Sequence, residues 1–259
     1  SSWTLTALPL FVWMGEILFR TKLSENLFKG LAPWMQKLPG GLIHVNVVGC
    51  ALFAAISGSS AATVATVGKM SIPELRKRKY PEKILLGSLA GSGTLGLLIP
   101  PSIILIIYGV TVQESIAKLF IAGIIPGIMI ALIFMSYVII WSLINKKNMP
   151  KANETYSFFE KIKRSKQLLP VILLILGVIG SIYSGVATAT EAASLGVVGA
   201  LILSYFQKSL NIKTFKNSLL GATKTSCMIA FILAGSTFLS LAMGFTGLPR
   251  NLAIWIQNM

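Results

Sequence analysis

Hydrophobic residues fall in seven segments, which polar or basic stretches separate. The segments run over 3–19, 39–70, 84–110, 118–145, 167–187, 190–207 and 218–245. A helix rises about 1.5 Å per residue and needs about 20 apolar residues to cross the hydrocarbon core of a bilayer. The pattern therefore predicts an all-α polytopic membrane protein with about six transmembrane helices, since the second segment is better explained as a hairpin.

The segment 39–70 is interrupted at its centre by Ser57-Gly58-Ser59-Ser60, and basic sequence flanks both of its ends. As helices, its halves 41–56 and 59–70 would reach only about 24 and 18 Å, so neither half would span a bilayer. Non-helical backbone at membrane depth is tolerated only where protein buries it or where it lines a cavity. We therefore predict one re-entrant helical hairpin whose tip is a candidate binding site.

The distribution of basic residues favours this topology. If 39–70 re-enters, 21 of the 23 Lys and Arg residues lie on the same side of the membrane. They fall in 20–37, 69–83, 146–166 and 208–224, whereas only Lys118 and Arg250 fall on the other side. Because Lys and Arg are enriched in short cytoplasmic loops, we predict that these four stretches are cytoplasmic.

Composition argues against several classes of function. The chain has 54% hydrophobic and 12% charged residues, which is outside the usual range for soluble domains. The chain has a net charge of +15, and its Lys and Arg residues lie in short loops between apolar segments. This pattern is typical of membrane topology, so we expect a lipid bilayer and no nucleic acid as partner. All eight acidic residues are Glu, and His44, Cys50 and Cys227 lie in apolar runs. We therefore expect no cofactor, zinc site, disulfide or catalytic carboxylate pair.

The two ends of the chain resemble one another. Phe11–Leu38 and Phe231–Met259 each contain an apolar helix followed by an amphipathic arm, and a Gly precedes a Trp by 19 and 20 residues respectively. The predicted topology places the two arms on opposite sides, as in an inverted-topology repeat. A second hairpin is then expected after Met259.

The first arm, 22–38, places apolar residues on one helical face and charged residues on the other. The apolar face has Leu23, Leu27, Leu31 and Trp34, and the charged face has Lys22, Glu25, Lys29 and Lys37. Such a helix lies in the membrane interface, either as an anchor or as a brace between a scaffold and a moving part.

Four regions follow from these patterns. Residues 1–38 are expected to form a transmembrane helix and interfacial arm of a scaffold, and 39–110 the hairpin plus a broken helix, the first half of a functional core. Residues 111–217 contain connecting transmembrane helices and the cytoplasmic loop 146–166. Residues 218–259 begin the second inverted repeat, ahead of its hairpin.

The segment 84–110 is itself interrupted, first by Gly91-Ser92-Gly93-Thr94-Leu95-Gly96 and then by Pro100-Pro101-Ser102. Helical hydrogen bonding is expected to fail there, which frees carbonyl groups beside Ser and Thr hydroxyls. Such neutral oxygens suit Na⁺, and the positive N-terminal ends of the restarting helices suit a carboxylate. Close packing of small residues and a simple proline kink are the alternative explanations.

Three stretches resemble the large membrane subunit of tripartite ATP-independent periplasmic (TRAP) transporters: Leu52–Thr66, a turn at Pro73–Arg78, and Gly93–Ser102. Leu10–Glu16 and Thr190-Glu191-Ala192-Ala193 are similar too. The resemblance implies sodium-driven import of a small organic acid across the bacterial inner membrane, with an elevator-type motion. It also implies a small membrane subunit and a periplasmic substrate-binding protein as partners.

In this family the first hairpin tip and the following helix break form a sodium site and half of the substrate pocket. The predicted Na⁺ ligands are Ser57, Ser60, Gly91, Gly93 and Thr94. The predicted substrate contacts are Ser57, Gly58, Ser59, Ser60, Thr63, Pro100, Pro101 and Ser102.

Two other classes of function compete with this prediction. A channel would use the broken helices as a fixed filter. An intramembrane enzyme is disfavoured, because the sequence offers no nucleophile paired with a base. Of the remaining polar residues, we expect Glu16 to pair with Arg20, Glu191 to cap a helix with Thr188, and Lys224 to anchor at the interface.

Overall fold

A computed structural model describes residues 3–21, 23–150, 156–166 and 168–258, and these ranges contain helices and no strand. The α-helices are α1 (Ala7–Phe19), α2 (Leu23–Met35), α3 (His44–Ser57), α4 (Ser60–Lys77), α5 (Glu82–Gly93), α6 (Ile103–Thr111), α7 (Ile116–Ile144), α8 (Phe158–Ser165), α9 (Leu169–Tyr183), α10 (Ala189–Phe206), α11 (Ile212–Thr246) and α12 (Leu248–Gln257). Short 3₁₀ helices lie at Trp3–Thr6, Gly41–Ile43, Thr94–Leu97 and Lys146–Asn148.

The all-α class predicted from the sequence agrees with the described residues. Three single helices among them, α7, α10 and α11, are long and apolar enough to cross a membrane. Helices α1 and α9 are apolar but have only 13 and 15 residues. The predicted number of about six spans is therefore not confirmed.

The helix break predicted within 39–70 is confirmed. Helix α3 ends at Ser57, Gly58 adopts a left-handed conformation (φ 58°), and Ser59 is extended before α4 begins. The two helices fold back on each other, since a Cβ atom at Gly49 of α3 would lie 3.5 Å from Val67 of α4. Helix α3 is only about 21 Å long and does not reach the roughly 30 Å of hydrocarbon. Helix α4 has 18 residues but contains Lys69, Glu74, Arg76 and Lys77, so it is not apolar enough to be counted as a span.

The predicted turn at Pro73–Arg78 is wrong, because α4 continues through Pro73 to Lys77. The Glu74 carboxylate accepts a hydrogen bond from Arg78 Nε at 2.8 Å, one helical turn away. Arg76 and Lys77 in the last turn also stabilise α4, because positive side chains interact favourably with the negative C-terminal end of the helix dipole. The chain turns only afterwards, where Lys79 adopts φ 62°.

The interruption predicted within 84–110 is present, but it begins later than expected. Gly91 and Gly93 remain in α5, so the prediction that the helix unwinds at these glycines is wrong. The 3₁₀ turn Thr94–Leu97 follows, and an irregular stretch then leads to α6 at Ile103. An isolated glycine costs a helix only about 1 kcal/mol, which packing can offset, whereas Pro100 and Pro101 cannot continue the hydrogen-bond ladder.

The apolar face of α2 is buried inside the protein. Leu27 and Leu31 are less than 9% exposed and pack near the α3–α4 pair, while the side chains of Lys22, Leu23 and Glu25 lie outside the described part. Trp34 faces α8 instead, where its Nε1 donates a 2.8 Å hydrogen bond to Ser165 Oγ. Helix α2 therefore connects the hairpin to α8, a helix that the sequence analysis did not predict.

Two local expectations at the helix surfaces are confirmed. Arg20 pairs with Glu16 at 2.9 Å, and Thr188 and Glu191 form the capping box that begins α10. The second arm is helical as predicted, because α12 contains Trp255.

Candidate functional site

The tip of the α3–α4 pair and the irregular stretch before α6 are in direct contact. The Ile103 amide donates a hydrogen bond to the Gly58 carbonyl at 3.3 Å. A Cβ atom at Gly58 would lie 2.6 Å from the Pro101 carbonyl oxygen, and one at Gly96 would lie 3.0 Å from the Ser60 amide nitrogen. These short distances show that the two backbones approach closely at Gly58 and Gly96, where a side chain would be crowded. The predicted convergence of the two elements is confirmed.

Hydroxyl groups lie on the inner side of the tip. Ser57 Oγ and Thr63 Oγ1 form a 3.0 Å hydrogen bond, and both residues are buried. Ser57 Oγ also lies 3.3 Å from the Ser59 amide nitrogen and from the Ser59 carbonyl oxygen. These contacts close the turn and collect hydroxyl and carbonyl oxygens within a few ångströms.

The Ser60 hydroxyl differs from its neighbours. Its oxygen is buried and, within the described structure, has no hydrogen-bond partner. A buried hydroxyl without a partner costs about 1–3 kcal/mol. The Thr66 and Ser71 hydroxyls of α4 are in the same state, and Ser60 differs from them in lying in the first turn of α4, next to the tip. Gly93 lies beside Ser60, since a Cβ atom there would lie 3.7 Å from the Ser60 carbonyl oxygen and would clash with Val64.

Two helices begin at the contact between tip and break. Ser59 caps α4 by accepting a hydrogen bond from the Ala62 amide, and Ser102 caps α6 by accepting one from the Leu105 amide. The positive ends of both helix dipoles therefore lie on either side of the Gly58–Ile103 hydrogen bond. This arrangement fits the predicted carboxylate site, because anions are favoured at helix N-termini.

Three predicted site residues lie away from this contact. Gly91 packs towards Phe134 of α7, and the exposed Thr94 donates its hydroxyl hydrogen bond to the Gly91 carbonyl at 2.7 Å. Pro100 lies near α7, 3.7 Å from a Cβ atom built at Gly123. The remaining predicted residues are near the tip: Ser57, Gly58, Ser59, Ser60, Thr63, Gly93, Pro101 and Ser102.

Two supporting features were missed by the sequence analysis. Asn46 is fully buried in α3 and donates hydrogen bonds to the Leu85 carbonyl and to Ser88 Oγ, at 3.2 and 3.0 Å, which ties α3 to α5. Its presence in an apolar helix was the available signal. Gly15 of α1 packs on the tip, because a Cβ atom there would lie 2.8 Å from Ser57 Cα; no local pattern indicates that contact.

The chemistry of the site is that of neutral oxygens. Among the described residues, no group of three or more His, Cys, Asp or Glu side chains converges. A monovalent cation held here would be coordinated by hydroxyl and carbonyl oxygens, which need no charged side chain at membrane depth.

Comparison with known proteins adds independent information. The family model described as the tripartite ATP-independent periplasmic transporter, DctM component, matches residues 1–259. The C4-dicarboxylate TRAP transporter large permease protein DctM of Pseudomonas aeruginosa is 33% identical over 258 residues, which cover 99% of this chain and 60% of that protein.

Two further relatives are named for other substrates. The sialic acid TRAP transporter large permease protein SiaM of Vibrio cholerae is 34% identical over 97% of this chain and 58% of its own length. The isethionate TRAP transporter permease protein DctMQ of Oleidesulfovibrio alaskensis is 32% identical over 97% of this chain and 40% of its own length. The chain thus spans about 60% or less of these relatives. Since the family model matches every residue, the chain belongs to the DctM component family of tripartite ATP-independent periplasmic transporters.

Proposed function

We propose that the protein, as the large permease subunit of a TRAP transporter, imports a small organic acid by sodium-coupled secondary transport. The observation that supports this most directly is the buried, unpartnered Ser60 hydroxyl between the tip and the helix break. It lies near two helix N-termini, so one small region offers oxygens for a cation and positive dipole ends for an anion.

Family membership sets the context for this proposal. The chain is a multi-pass protein of the bacterial inner membrane, and its family consists of transporter components and not of enzymes. The intramembrane enzyme considered from the sequence is thereby excluded.

We infer that the substrate bears a carboxylate, as a dicarboxylate, a keto acid or sialic acid does. Relatives of similar identity are named for C4-dicarboxylates and for sialic acid, which are carboxylates, and for isethionate, which is a sulfonate. Identity alone therefore favours an organic anion, and the choice of a carboxylate is part of the proposal. In the proposed site the carboxylate would contact the turn at Ser57–Thr63 and the backbone around Pro101 and Ser102. We assign Gly91, Thr94 and Pro100 no direct contact with the carboxylate, because the neighbours found for them are Phe134, the Gly91 carbonyl and α7.

The proposed mechanism needs motion and partners. We propose that the α3–α4 hairpin is re-entrant and moves with α5 and α6 in an elevator-type step. Hydrogen bonds from Asn46 join α3 to α5, which supports their moving together. A small membrane subunit and a periplasmic substrate-binding protein would complete the transporter, and the fused name DctMQ of one relative is in keeping with a second membrane component.

Uptake by reconstituted full-length transporter would test the proposal. Proteoliposomes with the small subunit are given radiolabelled succinate, pyruvate or sialic acid together with the cognate binding protein, under an inward sodium gradient or an equal choline gradient. We expect saturable uptake of one acid that collapses without the sodium gradient. Ohmic single-channel current in a planar bilayer would instead identify a channel with a broken-helix filter.

A further inference from the structure

A large cavity lies at the base of the hairpin, at the opposite end of α3 and α4 from the tip. It has a volume of about 990 Å³ and lies between the 38–42 segment, the turn after α4 and the end of α7. Its lining includes Tyr80 and the basic residues Lys77, Lys79, Lys146 and Lys147. Ligand pockets commonly measure about 300–1,000 Å³, so a bulky headgroup fits.

Among the described residues, most of the positive charge that lines this cavity has no acidic partner. The one acidic residue in its lining, Glu74, is paired with Arg78 at 2.8 Å. In the part of the chain that the structure describes, no acidic side chain pairs with any of the four lysines, and all four are exposed. Four uncompensated ammonium groups around one cavity favour an anion with several oxygens.

The cavity also has an apolar side. Leu143 belongs to its lining and is 47% exposed on the long apolar helix α7. Tyr80 and Trp141 pack against the same small cluster of buried residues beneath the cavity, as aromatic residues do at the level of lipid headgroups. A lipid placed here would have its headgroup among the lysines and its chains along α7.

The Tyr80 phenol adds a neutral donor. Its oxygen accepts a hydrogen bond from the Leu42 amide at 3.1 Å, which leaves its proton available. Burial raises the pKa of Tyr80 above its usual value, so this proton is retained at physiological pH.

We propose that this cavity is a binding site for the phosphate headgroup of an anionic phospholipid. Phosphodiester oxygens match the lysine ammonium groups, and basic pockets beside membrane helices bind acidic lipid headgroups by this chemistry. The site lies on the face that the charge distribution predicts to be cytoplasmic. It does not depend on the proposed transport activity.

Native mass spectrometry of the full-length permease with its small subunit tests the proposal. The delipidated complex is titrated with dioleoyl phosphatidylglycerol, with dioleoyl phosphatidylcholine or with glycerol 3-phosphate. Two double variants, K146Q/K147Q and K77Q/K79Q, remove charge from the cavity. The matched control, K213Q/K216Q, removes two exposed lysines at the start of α11, outside the cavity lining.

We expect phosphatidylglycerol to bind more tightly than phosphatidylcholine. A lysine near an anionic lipid contributes about a fivefold change in binding, so each cavity variant should weaken binding about 25-fold. The control should change it by less than about twofold, since exposed, distant charges are screened. Equal binding of the two lipids, or equal losses in cavity and control variants, would overturn the proposal. Displacement of phosphatidylglycerol by equimolar glycerol 3-phosphate would assign the site to a soluble phosphate and overturn the lipid assignment.

Discussion

Replacing Ser60 by Ala tests whether the Ser60 hydroxyl binds sodium or has only a structural role. The Ser60 oxygen is buried without a partner, so its removal forfeits no hydrogen bond within the described structure. Because an unsatisfied buried hydroxyl costs about 1–3 kcal/mol, the variant should be as stable as the natural protein without sodium, or more so. If Ser60 holds sodium, the stabilisation that sodium provides should shrink.

The expected loss of sodium affinity in Ser60→Ala can be estimated from the strength of an interaction between a hydroxyl group and a charged group. Interactions between a neutral dipole and a charged group contribute about 1.5–3 kcal/mol, which corresponds to about 10–100-fold in the sodium dissociation constant. Sodium at 100 times its dissociation constant stabilises the native state by about 2.7 kcal/mol. A tenfold loss of affinity would leave about 1.4 kcal/mol and a hundredfold loss about 0.4 kcal/mol, so the variant should lose between about half and five-sixths of the sodium-dependent stabilisation.

The assay is thermal unfolding of the full-length permease with its small subunit, in sodium or choline chloride at equal ionic strength. Ser71→Ala is the matched control, because the Ser71 hydroxyl is also buried in α4 without a recorded partner but lies three turns from the tip. Ser71→Ala should keep the full sodium response. A full response in Ser60→Ala, or equal losses in both variants, would refute the assignment of Ser60 as a sodium ligand.

Three further substitutions test the packing around the site. Gly15→Ala should lower the uptake rate by displacing the tip, because its Cβ would lie 2.8 Å from Ser57 Cα; unchanged uptake would contradict this. Gly93→Ala should lower the melting temperature, and adding Val64→Ala should restore part of the loss by removing the clashing methyl group; additive losses would contradict the contact. Trp34→Phe keeps the aromatic ring but removes the 2.8 Å hydrogen bond to α8, so amide exchange in 158–165 should rise, while an unchanged rate would make that bond unimportant.

Local chemistry explains which parts of the fold the sequence analysis predicted correctly. The break at Ser57–Ser60 follows from a glycine with positive φ and a serine cap, both of which act over a few residues. The capping box at Ser157 and Glu160 was equally local and would have revealed α8, but it was overlooked within a basic loop.

Tertiary packing explains only one of the features that were predicted incorrectly. Gly91 stays helical with Phe134 of α7 packed near it, and that partner cannot be identified from local sequence, because propensity is a weak predictor where packing intervenes. The continuation of α4 through Pro73 is different, since the Glu74–Arg78 pair at its end has the i,i+4 spacing of a local helix pair and could have been found in the sequence. For the candidate site, the participating residue types were predictable, whereas the orientation of Gly91, Thr94 and Pro100 was not.

A site whose ligands are all neutral oxygens would by itself couple the movement of sodium to the uptake of the carboxylate. In the proposed mechanism, the empty tip has no ionised side chain and can move without burying charge. With only Na⁺ or only a carboxylate bound, the tip would carry an uncompensated charge, which is costly at membrane depth. One Na⁺ and one carboxylate together cancel, and any additional Na⁺ is drawn inward by the membrane potential. A Glu at the tip would make the tip neutral with sodium alone and would permit sodium leakage, so we expect Ser60→Glu to uncouple sodium movement from substrate uptake.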